Sequence, residues 1–155
     1  MTQIAIGNFL TFQRQGVVSH RFQNFFIGET IAYQNESYGF LPFGFSGVTI
    51  NKNGDNSTSS LVFPNNALSQ SWAVQATSLR WLAHVRVMLL NPDDRTDFTQ
   101  VHEFWGRVVT TKWDESTVTL TLGNILDSVG LDVPVRRLTQ NLIGAIPVTT
   151  GVRLQ

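Results

Sequence analysis

The sequence predicts a mainly β protein, an antiparallel β-barrel or sandwich with one short α-helix and extended terminal arms. Three observations predict it: short runs in which apolar and polar residues alternate, polar turn segments between those runs, and a single stretch of helix-like composition. Strands separated by turns, with one helix, pack as antiparallel layers around a core. We expect an arm or edge strand over 1–16, a β-domain over 17–123 and a C-terminal docking tail over 124–155.

The first sixteen residues are apolar but show no clear period, with Phe9 and Phe12 among Gly, Asn and Gln. We favour an arm that docks on a neighbouring subunit through Phe9 and Phe12, because exposed aromatic residues are unfavourable in a monomer and useful in an assembly. The alternative, of equal weight, is a strand that closes the barrel of its own subunit.

The next segments read as strands interrupted by turns. Residues 22–27 have apolar side chains on both faces of an early strand, and glycine ends it. In 38–50 the alternating Phe43 and Phe45 are separated by Gly44 and followed by Gly47, which indicates a twisted or bulged strand. Residues 51–60 form a polar loop, and 61–63 resume a strand.

The helix is predicted over 67–77, with Asn66 as N-cap and Leu68, Trp72 and Ala76 on one face. A long strand over 79–90 follows. Its alternation predicts one apolar face and one mixed face. The predicted apolar face comprises Leu79, Trp81, Ala83, Val85, Val87 and Leu89, and the mixed face comprises Arg80, Leu82, His84, Arg86 and Met88.

Residues 104–139 predict a hairpin followed by an unusual tail. Val118, Leu120 and Leu122 alternate with threonines, and 113–116 supply the polar reversal. The tail 124–138 lacks helical or strand periodicity, yet it combines apolar residues with two adjacent arginines.

Four features of this region occur in an order that resembles the phage minor tail protein L family and related tail-tip proteins: the hairpin, the N-x-L-D-x-x-G run at 124–130, the V-P-V-R-R-L run at 133–138 and the short apolar run at 142–148. The aromatic segment 38–48 and the long strand 79–90 also fit the layout of that family, so the resemblance covers most of 17–153. It implies a hub or adaptor position in a phage tail tip or baseplate, with three- or sixfold symmetry.

The chain departs from that family in one respect. Members with a C-terminal extension can carry cysteines that hold an iron–sulfur cluster, whereas this chain has 0 Cys. Such clusters need thiolate ligands. The resemblance is therefore to the N-terminal β-domain alone, and no cofactor is expected.

The composition favours association with other proteins. The 11 basic and 11 acidic residues cancel, and 14% of residues are charged, against the usual quarter or so of a soluble domain. A sparsely charged surface gives weak protection against self-association.

The same composition makes the chain a poor candidate for nucleic-acid binding, which normally requires a basic face. No apolar run approaches the ~20 residues that cross a bilayer, and no signal peptide is visible, so we expect synthesis in the host cytoplasm.

Catalytic and metal-binding patterns are weak. His20, His84 and His102 are isolated in sequence and lack the spacings of zinc sites. His102 and Glu103 are neighbours on a strand and point to opposite faces. We therefore expect no metal site and no enzymatic activity.

The strongest charged feature is the arginine pair of the tail. Because Pro134 favours extended backbone, Arg136 and Arg137 diverge and can each bind a carboxylate or a carbonyl of a neighbouring subunit. We assign the expected interface to apolar and charged residues of the two termini: Asp127, Pro134, Arg136, Arg137, Leu138, Phe9 and Phe12.

The expected function is structural. The protein would link tail tube, hub, spike or wedge subunits in the virion through a trimer or hexamer, without a need for nucleic acid or membrane contact. The alternative is a carbohydrate- or receptor-binding β-module of a phage tail, suggested by its four tryptophans, Trp72, Trp81, Trp105 and Trp113. Burial of Trp81 and Trp105 beside core residues is the simpler interpretation.

Overall fold

The computed structural model describes residues 5–48, 58–91, 93–94 and 97–124. These residues form nine strands and one helix, which confirms the predicted mainly β fold with a single short helix. The elements in chain order are β1 (Ala5–Arg14), β2 (Val17–Gln23), β3 (Ile31–Tyr33), β4 (Glu36–Phe40), β5 (Gly44–Phe45), β6 (Ser59–Pro64), α1 (Ala67–Ser78), β7 (Leu82–Leu90), β8 (Phe98–Trp113) and β9 (Thr117–Asn124).

The strands form one sheet in the order β3-β4-β2-β1-β7-β8-β9-β6-β5. The sheet has two ends, so the barrel is not closed. Its pairs are antiparallel except β2 with β4, which run parallel, so the sheet is mixed and not purely antiparallel as predicted. The parallel pair arises because the short β3 strand lies between β2 and β4 in the chain and returns the chain in the same direction.

The sheet curls around its main core. Phe12 on β1 and Phe63 on β6 are separated in the sheet by β7, β8 and β9, yet their ring centroids lie 6.4 Å apart. Trp72 of α1 packs against both rings. Side chains from both halves of the sheet therefore share one cluster, and α1 covers it. We call the sheet face that carries Leu10 and Phe12 the inner face.

The helix begins with the predicted cap. Asn66 accepts a hydrogen bond from the Ser69 backbone N–H, and the Ser69 hydroxyl accepts one from the Asn66 N–H, which completes a capping box. The buried face is formed by Ser69, Trp72, Ala73 and Ala76. Of the three residues predicted to share one face, Trp72 and Ala76 are buried, whereas Leu68 is 56% exposed.

The N-terminal segment forms part of the subunit's own core. β1 pairs with β2 on one side and with β7 on the other, so it is neither a docking arm nor an edge strand over Ala5–Arg14. Phe9 and Phe12 are buried at 1% and 0% exposure. Their assignment to an intersubunit interface is wrong, because each ring is covered by its own chain. The alternative placed this segment in its own subunit as a strand that closes a barrel; β1 does lie in its own subunit's sheet, but that sheet is not closed.

The strand predicted over 22–27 ends earlier, at Gln23. The buried Gln23 side chain accepts hydrogen bonds from the backbone N–H groups of Phe25 and Phe26 and donates to the carbonyl oxygens of Phe26 and Glu29. These bonds hold the chain in a turn. An extended strand would leave the buried amide without partners, at a cost of about 1–3 kcal/mol.

The long strand predicted over 79–90 begins at Leu82, because the N–H groups of Leu79 and Trp81 still bond to α1 carbonyls. Burial departs from the predicted faces at several positions. Leu79 and Leu89, on the predicted apolar face, are each 40% exposed, whereas His84 and Met88, on the predicted mixed face, are buried. Met88 is buried because a second core lies on the outer face.

The predicted hairpin is confirmed by β8 and β9, which are joined at residues 114–116. The Asp114 carboxylate accepts hydrogen bonds from the N–H groups of Ser116 and Thr117, which makes the turn. The predicted loop lies mostly outside the described residues, as does the tail beyond Asn124. The described chain contains no helix of the length and apolarity that would cross a membrane.

Candidate functional site

The outer face of the sheet carries a second core made of aromatic side chains. Phe9 alternates with the inner Leu10 on β1, so it points to the outer face. Its ring stacks on Tyr33 at 5.1 Å and meets Tyr38 at 4.5 Å. The β3–β4 hairpin therefore lies over the outer face. The remaining members of this cluster are Met88, Phe25, Ile31, Leu90 and Phe98.

Beside this core lies a polar network centred on Tyr38. The Arg21 Nη2 donates to Glu36 Oε1 at 2.7 Å, and the Tyr38 hydroxyl donates to Glu36 Oε2 at 2.9 Å. Arg86 Nη1 donates to the Tyr38 hydroxyl oxygen at 3.2 Å, and its guanidinium lies 5.6 Å from the Tyr33 ring centroid. The network joins β2, β4 and β7 across the outer face.

A second polar group lies where β7 pairs with β8. His84 is buried, and its ring stacks on Trp105 with centroids 3.7 Å apart. Its Nε2 lies 2.6 Å from Glu103 Oε1, a close contact whose angle is poor for a hydrogen bond. Trp105 Nε1 donates to the same Glu103 oxygen at 2.9 Å, and Gln100 Nε2 donates to the other at 3.3 Å.

The two carboxylates are stabilised in their charged form. The hydrogen bond from Arg21, with that from Tyr38, lowers the pKa of Glu36. The hydrogen bond from Trp105, followed by the contact with His84, lowers the pKa of Glu103. Burial lowers the pKa of His84, and the nearby Arg86 lowers it further. At neutral pH both acids are therefore ionised and the imidazole is neutral.

These groups are arranged to hold strands together. Glu36 on β4 accepts a hydrogen bond from Arg21 on β2, whereas Glu103 accepts its hydrogen bonds within β8 and contacts His84 of β7. An acid with a lowered pKa is a poor proton donor near neutral pH. Within the described residues, three or more His, Asp or Glu side chains do not gather in a way that could hold a metal ion. The polar groups of the outer face therefore stabilise the packing of the sheet, and they include two ionised carboxylates, Glu36 and Glu103.

The histidines lie apart in the described structure. His20 is on the inner face, next to the rings of Phe22 and Trp81, whereas His84 is on the outer face. His102 is exposed on β8. The sequence analysis missed the contact between His84 and Glu103, although His84 had been placed on the mixed face of the β7 strand. Finding it requires the β7–β8 register.

The long strand β8 has an edge without a partner strand among the described residues. β7 pairs with β8 from Phe98 to Arg107, but β9 pairs with it only from Gly106 to Trp113. Among the described residues, 98–105 of β8 therefore have a partner strand on one side only. We call these eight residues the β8 edge.

Exposed apolar side chains accompany the β8 edge. Val101 is an extra residue in β8, since Val87 pairs with His102 and Met88 with Gln100. It is 65% exposed. Ile6 and Leu89 are cross-strand partners near the same end of the sheet and are 66% and 40% exposed. Three exposed apolar side chains, Ile6, Leu89 and Val101, therefore lie near one end of the described sheet.

The tail residues predicted as the interface lie outside the described residues: Asp127, Pro134, Arg136, Arg137 and Leu138.

The four tryptophans lie in different parts of the structure. Trp72 and Trp81 are buried in the main core, and Trp105 stacks on His84. Trp113 is 58% exposed at the far end of β8. At ~3.3 Å per residue, eight positions separate Trp113 from Trp105 by ~26 Å.

Comparison with known proteins identifies a related fold. No family model matches the chain, and no curated protein matches it. A solved structure described as the virion of a native gene transfer agent (GTA) particle contains a chain of similar fold, with a TM-score of 0.52 and 13% sequence identity. The match covers 81% of this protein and 42% of that chain, so this protein spans about two fifths of the chain it matches.

Proposed function

We propose that this protein is a structural component of a phage-like virion. The observation that carries the proposal is the shared fold, over 81% of the chain, with a protein of a gene transfer agent virion. The composition supports it, because a chain with zero net charge and 14% charged residues suits an environment in which neighbouring subunits cover much of its surface.

Within such a particle, we propose a place in the tail tip or baseplate, where the protein would link tube, hub and spike as a trimer or hexamer. This finer assignment rests on the tail motifs at 124–138, which resemble the minor tail protein L family. The curled sheet would form a rigid wall. The arginine tail, with Pro134, Leu138 and Asp127, would provide contacts to neighbouring subunits.

The proposed role is not enzymatic. The polar groups of the outer face bond to one another across β2, β4 and β7, and within β8, instead of being directed at a common point. A catalytic site needs at least one group held in a reactive state close to a substrate position.

The alternative of a carbohydrate-binding module receives less support from the tryptophans. Sugar recognition by stacking would use exposed aromatic faces set near one another, whereas Trp72 and Trp81 are buried and Trp113 lies far from Trp105 along β8. We retain the virion role as the proposal.

The test is direct. Particles from the source organism are purified on a density gradient, and their proteins are identified by mass spectrometry and located by cryo-electron microscopy. We expect to find this chain at the tail tip of the particle. We also expect its gene to lie beside the genes for tail-tube and tape-measure proteins. A particle of complete composition that lacks the chain would reject the virion role, and density elsewhere in the particle would reject the tail-tip position.

A further inference from the structure

We propose that the β3–β4 hairpin, residues 31–40, is an acid-sensitive flap: uptake of a proton by His84 separates it from the outer face of the sheet while the other strands stay paired. The proposal does not depend on the virion role. Three features carry it: the short pairing that joins the hairpin to β2, the contacts of its two tyrosines with Arg86, and the buried place of His84 beside that arginine.

The hairpin has little backbone contact with the rest of the described sheet. β4 pairs with β2 through two residue pairs, Phe22 with Gly39 and Gln23 with Phe40, whereas β1 and β7 pair over nine residues. Among the described strands, β3 pairs with β4 alone. Elements with few backbone bonds to their neighbours open at a lower free energy than the centre of a sheet. The hairpin can therefore separate without breaking the long ladders.

Side chains hold the hairpin on the outer face. Tyr33 and Tyr38 pack on the ring of Phe9. Arg86 of β7 contacts both tyrosines, because it donates to the Tyr38 hydroxyl and its guanidinium lies over the Tyr33 ring. A change in the surroundings of Arg86 thus acts directly on the attachment of the hairpin.

His84 lies next to this arginine. The two residues are two positions apart on β7, so they point to the same face. On β1, the uncharged Thr11 pairs with both His84 and Arg21, and its hydroxyl bonds to Tyr38 of the hairpin. The titratable and charged groups that face the imidazole come from β2, β4, β7 and β8, and they are Arg21, Glu36, Tyr38, Arg86 and Glu103. The hairpin therefore lies beside the imidazole.

A proton on His84 is poorly accommodated while the hairpin is closed. Nε2 lies 2.6 Å from Glu103 Oε1 at an angle that is poor for a hydrogen bond, and that oxygen already accepts the Trp105 N–H. Burial keeps water from the imidazole, and the Arg86 guanidinium repels its charge. Burial, followed by Arg86, accordingly lowers the pKa of His84.

Separation of the hairpin relieves both effects. It frees Arg86 from the two tyrosines, so that the guanidinium can move away from the charged imidazole, and it admits water beside His84. The hairpin also takes the attractive Glu36 away, but Glu36 contributes least to the pKa of His84 among the groups around it. The open state therefore binds the proton at a higher pH than the closed state, and acid shifts the population towards it.

Amide hydrogen exchange of the full chain, followed by mass spectrometry of its peptides, tests the proposal. Rates at pH 7 and pH 5 are corrected for the intrinsic pH dependence of exchange, and peptides of 31–40 are compared with those of β9. We expect the hairpin to exchange faster than β9 at both pH values. Its corrected rate should rise at least about threefold from pH 7 to pH 5, up to a limit of about 25-fold set by a histidine pKa of about 6.5 in the open state.

Three variants locate the source of the effect. His84→Phe, which keeps a ring against Trp105, should abolish the rise in 31–40. His20→Phe, beside Phe22 on the inner face, is the matched control and should retain it. Tyr38→Phe removes the hydroxyl that Arg86 binds and should speed exchange of the hairpin at both pH values, with β9 unchanged.

Three results would overturn the proposal. A hairpin protected as strongly as β9 would show that it opens only when the whole chain unfolds. A corrected hairpin rate that stays constant between pH 7 and pH 5 would remove the link to protonation, and a rise that persists in His84→Phe would assign it to another group. The first two results are read from the wild-type chain, so they decide the question even if His84→Phe does not fold.

Discussion

Gly106 stands at the point where β8 changes partners, between Ala83 of β7 and Asn124 at the end of β9. Its missing side chain leaves room for Phe104 of the same strand. A Cβ at this position would lie 2.6 Å from Phe104 Cε1 and 3.0 Å from Leu122 Cβ. Phe104 and Leu122 are both buried in the main core, so neither can move without disturbing other contacts.

We therefore expect Gly106→Ala to lower the free energy of unfolding by about 1–3 kcal/mol through overpacking. Urea denaturation of the full chain measures it. The control is Gly39→Ala on β4, where an added Cβ meets nothing within 4 Å, and where a change within about 0.5 kcal/mol is expected. Equal effects at the two glycines would contradict this account of Gly106.

A second prediction at this scale concerns His84. Its pKa lies below the ordinary value of 6.5 because burial, and then Arg86, disfavour the charged imidazole despite Glu103 and Glu36 nearby. The unfolded chain thus takes up a proton at a higher pH than the folded chain. Stability should be fully present above pH 6.5 and should fall as the pH drops below it. Burial shifts His20 in the same direction.

Thermal denaturation at several pH values between 7 and 5 tests this prediction. This window lies above the range in which Glu36 and Glu103 lose their charge, since both have pKa values lowered from 4.5. His84→Phe, which keeps a ring against Trp105, should reduce the decline to the part due to His20. His102→Gln, at an exposed position on β8, should leave the decline in place. An undiminished decline in His84→Phe would show that His84 is not its source.

At the scale of elements, the start of the helix is set by a local capping signal, whereas the place of β8 is set by pairing with other strands. α1 begins where Asn66 and Ser69 satisfy each other's backbone N–H groups, a signal that is local and readable in sequence. β8 is different. Its 16 residues serve β7 with one half and β9 with the other.

The helix cap yields a prediction. Asn66→Ala removes the acceptor of the Ser69 N–H and should lower the free energy of unfolding by about 1 kcal/mol, within the range of 0.5–2 kcal/mol found for such caps. Chemical denaturation followed by tryptophan fluorescence is suitable, since Trp72 lies on α1. Ser78→Ala, at the exposed end of the same helix, serves as control and should change stability by less than about 0.5 kcal/mol. A cap variant as stable as the wild type would contradict the role of the capping box.

At the scale of the whole molecule, the protein covers both faces of one sheet. The inner face is covered by α1 and by the curl of the sheet, and the outer face by the β3–β4 hairpin with its aromatic side chains. The stability of the subunit is thus supplied by its own cores. The chain has zero net charge and 14% charged residues, a composition that gives weak protection against association and agrees with the proposed role of a component that adds to its neighbours.

Because the two cores supply the stability of the subunit, the proposed assembly role of Arg136 and Arg137 makes a prediction. If Arg136 and Arg137 are interfacial as proposed, replacing both by Ala should leave the circular dichroism spectrum and the unfolding transition unchanged, because solvated or interfacial charges contribute little to subunit stability. Association should weaken by roughly 2–5 kcal/mol for each paired interfacial charge lost. Analytical ultracentrifugation should show oligomers for the wild type and monomers for the double variant. A wild-type chain that remains a clean monomer at high concentration would reject the assembly role of the tail.

The sequence by itself determined the features that depend on neighbouring residues. The β-rich class, the helix with Asn66 as its cap, and the β8–β9 hairpin turned by Asp114 all follow from periodicity and capping, which act over a few residues. Only the tertiary structure decided the place of Phe9 and Phe12, which the sequence analysis assigned to an interface and which the curled sheet buries. It also decided the contact between His84 and Glu103. The physical reason is that burial and cross-strand contacts are set by strand order and register, which bring together residues that are distant in the chain.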